Sequence, residues 1–189
     1  MIVEVVGLKH FLIVLTLAFL VVPFGTNAQD DATSKAPPVQ RFSDWYYRCP
    51  ERPAGEGVSK RYCEVVQVAQ SKDGKRLLTL GITRAAKPID GKPWIVTLIT
   101  PLNVYLPAKL DLQIDRGRRQ SYAYRNCNEG GCWVVISASD ALVNRLKRGN
   151  QATVRFQTVR QKNINLRISL SGVTKALQAL TSGASPVQE

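Results

Sequence analysis

The chain has 189 residues, 44% of them hydrophobic, with 26 Lys and Arg against 14 Asp and Glu, a net charge of +12. That is one ordinary domain's worth of chain, long enough for a real core, and its positive balance favours polyanions and cell surfaces as partners. The only histidine is His10, so a domain that excludes the first residues has no imidazole for acid–base catalysis or metal binding.

Lys9 and His10 precede the apolar run Phe11 to Val22, which is followed by Pro23 and the small residues Gly25 to Ala28. Positive flank, short apolar core and small residues is the order a signal peptidase reads. The run is shorter than the roughly 20 residues a spanning helix needs. The predicted signal peptide is 1–28, cut before Gln29, and its loss removes one Lys and one Glu, which keeps the net charge. Residues 29–41, with Pro37 and Pro38, read as a flexible leader, 42–181 as the folded domain and 182–189 as a disordered tail.

The exported part has four cysteines, Cys49, Cys63, Cys127 and Cys132. Behind a signal peptide an even count reads as disulfides. Each sequential pair brackets a turn, with Pro50, Pro53, Gly55 and Gly57 in one and Asn128, Gly130 and Gly131 in the other. The expected pairing is therefore Cys49–Cys63 and Cys127–Cys132, each loop contributing about 2–3 kcal/mol. A four-thiolate zinc site is the alternative, against which stand the loose Cys127–Cys132 spacing and export.

Period-two alternation dominates the folded part of the chain. Leu78, Leu80 and Ile82 share one face of a strand, Trp94 to Thr100 is a buried central strand, and Leu110, Leu112 and Ile114 alternate with polar residues. Tyr122 and Tyr124, then Trp133 to Ile136, continue the pattern. Ser139 or Asp140 caps a helix over 141–148 that ends at Gly149. The last two strands carry Val154, Phe156 and Thr158, and Ile164, Leu166 and Ile168. A second helix spans about 172–180, its stripe of Val173, Ala176, Leu177 and Leu180 packing over an open end of the sheets. About nine short strands with such turns predict an all-β fold, an antiparallel β-sandwich of immunoglobulin-like architecture with two short helices.

Hydrolytic chemistry has little to draw on. Paired cysteines leave no thiol nucleophile, no S-x-x-K motif is present to activate a serine, and no phosphate loop or H-E-x-x-H motif occurs. Asp111 and Asp115 share one face at i, i+4, the minimum for a carboxylate-dependent hydrolase, although glycosidase carboxylates usually come from separate strands. The chain reads as non-enzymatic, with no cofactor and no metal.

The cations concentrate in three places: Arg116, Arg118, Arg119 and Arg125; Arg145, Lys147 and Arg148; and Arg155, Arg160, Lys162 and Arg167 around the last hairpin. A three-residue loop of Arg160, Gln161 and Lys162 places Phe156 opposite Leu166 and Arg155 opposite Arg167. Arginine forks so placed form an anion clamp with Arg160 and Lys162. Export makes nucleic acid the wrong partner. An anionic glycan, lipopolysaccharide or the host-cell surface is the expected one.

An ordered set of residues resembles the invasion-associated locus B family of exported bacterial proteins. The set is Trp45 before Cys49, then Cys63 with a strand behind it, then Thr100 to Pro107, similar to that family's "PLGV-LP" stretch. Ile114 to Gly117, the Cys127, Gly131 and Cys132 group, and Ser169 to Val173 come next in order. Asn103 and Lys109 stand where that family usually has glycine, and Val173 where it usually has an aromatic. The resemblance implies a β-sandwich, a periplasmic, outer-membrane or surface location, and a role in host-cell invasion without a catalytic centre. Function by adhesion to an anionic surface heads the expectations, with envelope maintenance and carboxylate hydrolysis as alternatives.

Overall fold

The computed structural model of the protein describes residues 38–52 and 60–183. The expected signal peptide, residues 29–37 of the leader and the tail beyond 183 lie outside them. Two antiparallel sheets face each other across a single core. The wider one has seven strands in the order β1 (Val39–Phe42), β2 (Trp45–Arg48), β5 (Glu64–Gln70), β6 (Arg76–Ile89), β7 (Lys92–Thr100), β11 (Gly131–Ala138) and β10 (Asn126–Asn128). The narrower one runs β13 (Asn163–Ser169), β12 (Gln151–Gln157), β8 (Leu110–Ile114) and β9 (Gln120–Tyr122). Two further short strands, β3 (Glu51–Arg52) and β4 (Lys60–Arg61), pair with each other.

The alternation seen in the sequence becomes layers. Tyr47, Val65, Ile82, Val96 and Ile136 stand in one row across five strands, and all five are buried. The four aliphatic residues of this row contribute about 1.5–3 kcal/mol each when fully buried. Ala152, Val154, Leu112 and Ile114 face them from the narrow sheet. Trp45 ties the two sheets together: it is fully buried and its Nε1 donates to the Ser169 carbonyl at 3.0 Å.

The wide sheet extends beyond its partner, and the helices cover the excess. α1 (Asp140–Arg148) buries Leu142, Val143 and Leu146 and packs on β7 and β11. α2 (Val173–Ser182) buries Val173, Ala176 and Leu177 against β1, β2 and β5, the covering role expected of its stripe. Asp140 accepts a hydrogen bond from Trp94 Nε1 at 2.7 Å, which fixes the start of α1 to the sheet. Cys49 is bonded to Cys63 and Cys127 to Cys132. All four thiols are consumed in these pairs, so no four-thiolate zinc site forms.

Three details differ from the sequence reading. The first strand begins at Val39, inside the stretch 29–41 assigned to the leader. The strand expected around Tyr122 and Tyr124 stops at Tyr122. Most consequential is the last hairpin, whose register is displaced by two residues. Phe156 opposes Ile164, Arg155 opposes Asn165, and Arg167 opposes Thr153. The loop closes earlier, with Thr158 N donating to the Lys162 carbonyl at 3.0 Å and Gln161 at a positive φ of 58°. A left-handed residue at the end of a three-residue loop is the usual way such a hairpin meets the twist of its strands. Even parity survives the shift, so the apolar residues still face inward, but Arg155 and Arg167 are not directly opposed.

Candidate oxyanion-binding site

The outer face of the narrow sheet is polar. Ser121, Asp111, Arg155 and Asn165 form one row across β9, β8, β12 and β13. Beside this row lies a basin of about 580 Å³, bordered by Lys109, Asp111, Arg119, Arg155, Asn163 and Asn165. Three cations and one carboxylate thus share one depression. Asp111 is engaged away from Arg155: its Oδ1 accepts from Ser121 Oγ at 2.5 Å and its Oδ2 lies 3.7 Å from Arg119 Nη1. Arg155 Nη1 is buried and has no hydrogen-bond partner. A buried donor left unsatisfied costs about 1–3 kcal/mol, and a guanidinium offers five donors that fit a planar or tetrahedral oxyanion in two-pronged fashion.

Lys109 brings a second anomaly. Its backbone sits at φ 62° and ψ −177°, a region almost restricted to glycine and costing about 1–3 kcal/mol for other residues. The position that the resembled family usually fills with glycine thus keeps its glycine-like backbone while presenting an ammonium at the basin. Asn103 also has a positive φ, 66°, which asparagine tolerates better than most residues.

The expected patches are redistributed. Arg155 from one and Arg119 from the other line the same basin. Arg160 and Lys162 are exposed at the hairpin tip, and Arg167 lies two positions along the outer face of β13 from Asn165. Arg116, Arg118 and Arg125 are exposed outside the basin. The clamp built on a directly opposed Arg155 and Arg167 is therefore not formed. Lys109, Asn163 and Asn165 escaped sequence reasoning. The alternation of Asn163 and Asn165 with Ile164 and Leu166 was the available signal that these amides share an outward face.

Asp111 and Asp115 do not share a cleft. β8 ends at Ile114, and Asp115 turns back at φ 47° to accept from the backbone N–H groups of Asn150 and Gln151 at 3.1 and 3.0 Å. These bonds pin the connection between α1 and β12. Asp115→Ala is expected to lower unfolding stability by about 1 kcal/mol, the group being solvent-exposed, with no change in oxyanion binding. Denaturant titration and heparin retention check the two halves of that expectation.

Comparison with known proteins places these features. Residues 45–181 match the family described as "Invasion associated locus B (IalB) protein". The crystal structure of invasion associated protein B from Bartonella henselae superposes with a TM-score of 0.62 at 21% identity, covering 76% of this chain and 95% of that one. No curated protein matches the sequence.

Proposed function

The chain belongs to the invasion associated locus B family, and from that membership we propose that it is an exported, non-enzymatic protein that engages an anionic surface through the basin on its narrow sheet. Two disulfides support export, since such bonds persist in oxidising compartments. The observation that carries the binding role is Arg155 Nη1, a buried donor without a partner, beside Lys109 and Arg119. A phosphate, sulfate or carboxylate group in the basin balances the surplus charge, and a turn of the Arg155 side chain brings its buried Nη1 to that group. The surface in question is an anionic glycan, lipopolysaccharide or the host-cell surface.

Immobilised heparin and lipopolysaccharide test this. Arg119→Gln with Arg155→Gln is expected to weaken binding at least about tenfold and to flatten its salt dependence. Arg116→Gln with Arg118→Gln, outside the basin, lowers only the general attraction and has the smaller effect. Equal losses in the two variants reduce the binding to net charge and overturn the basin.

A further inference from the structure

Eight large hydrophobic side chains are exposed among the described residues, and they are unevenly placed. Val39, Tyr46, Val68 and Ile89 are spread over four strands of the wide sheet. The other four gather in two adjoining loops. Leu102, Tyr105 and Leu106 lie between β7 and β8, and Val159 lies in the β12–β13 turn, with exposures of 50, 37, 45 and 57%. The two loops are joined by backbone hydrogen bonds. Tyr105 N donates to the Gln157 carbonyl at 2.8 Å and Val159 N to the Asn103 carbonyl at 2.9 Å, while Val104 bridges to Thr158. The result is a braced apolar tip.

Its charge is one-sided. Residues 101–109 and 158–162 contain Lys109, Arg160 and Lys162, all exposed, and no carboxylate. We propose that this tip enters the headgroup layer of an anionic lipid bilayer, with Leu102, Tyr105, Leu106 and Val159 reaching the acyl boundary and the three cations at the phosphates. Apolar side chains rimmed by cations are the combination that interfacial binding requires, because burial and attraction to anionic lipid add. Tyrosine suits the boundary, with an apolar ring and a polar end. A second copy of the chain is the poorer occupant, since it brings the same three cations against themselves. The four apolar side chains of the tip are exposed together, so it fits a surface that yields to insertion. Its bracing means that little is left to order on contact. This inference stands beside the oxyanion basin and does not rest on it, although Lys109 borders both.

Vesicle co-sedimentation tests it, comparing phosphatidylcholine alone with mixtures holding about 30% phosphatidylglycerol, at physiological and raised salt. The expected result is preference for the anionic vesicles. Leu106→Ser with Val159→Ser is expected to reduce that binding roughly tenfold, from lost apolar burial, while heparin retention is kept. Arg160→Gln with Lys162→Gln reduces it at physiological salt only. Wild-type vesicle binding by the Leu106 and Val159 variant, or equal binding to neutral and anionic vesicles, overturns the proposal. So does a wild-type dimer that this variant converts to monomers, which assigns the tip to self-association. Loss of heparin retention in Arg155→Gln with vesicle binding intact separates the basin from the tip, and unchanged retention there sinks the basin reading alone. Melting curves for each variant establish that the fold is intact.

Discussion

Gly172→Ala is expected to lower the stability of the domain by about 3 kcal/mol, the sum of a forbidden backbone angle and a clash in packed structure. Gly172 sits at φ 89° where β13 turns into α2. A Cβ there overlaps the Phe42 carbonyl oxygen, lies 2.6 Å from its carbon and 3.0 Å from Ser43 Cβ. Neither side can move without loss. The β1–β2 turn already holds Ser43 at φ 54°, and Asp44 N reaches the Ser171 carbonyl at 3.5 Å. Displacing α2 uncovers Val173, Ala176 and Leu177 and strains the bond from Trp45 to Ser169. Chemical unfolding measures the effect. A loss below about 1 kcal/mol means that the turn relaxes freely and that this crossing is not a fixed point of the fold.

That crossing also marks a boundary of what sequence reveals. The strands with strict alternation, such as Leu110 to Ile114, and both helices were legible because burial on one face leaves a period in the sequence. β1 was not, since Val-Gln-Arg-Phe comes after a polar, proline-containing stretch and gains its partner only from β2. Hairpin parity was legible at 151–170 but register was not. Parity depends on which residues are apolar, whereas register depends on where the turn closes, and here Gln161 closes it in a conformation that no glycine announced.

The basin was legible only in fragments. Composition located the cations, yet Arg119 and Arg155 lie far apart in the chain and are brought together by the pairing of β8 with β9 on one side and β12 on the other. The two acidic residues of β8 and its turn looked alike in the sequence, and only the end of the strand at Ile114 separates the Asp111 partners Ser121 and Arg119 from the backbone amides held by Asp115. Lys109 had a sign of its own. A bulky residue at a position usually glycine points either to a changed backbone or to a kept and strained one, and the structure has the second.

Arg155→Met is expected to move stability and binding in opposite directions. Methionine keeps an unbranched stem of similar reach and removes both the charge and the buried orphan donor at Nη1. Replacing an unsatisfied buried polar group by an apolar one of like shape is neutral to stabilising, and the gain expected here is about 1 kcal/mol in dilute chloride buffer. The basin then loses its central fork, and oxyanion binding is expected to fall about tenfold, as for a charge-assisted bond of 1–2 kcal/mol. Thermal unfolding with added sulfate reads both effects together. A ligand at a hundred times its dissociation constant stabilises the native state by about 2.7 kcal/mol. The wild type should therefore gain more from sulfate than the variant does, and their difference removes the general salting effect that both share. A variant less stable than wild type by more than about 1 kcal/mol gives the opposite reading, because only a guanidinium already held by Asp111 in solution costs that much to remove. The basin is then a closed ion pair across β8 and β12, and the surface that meets the anionic partner lies elsewhere on the molecule.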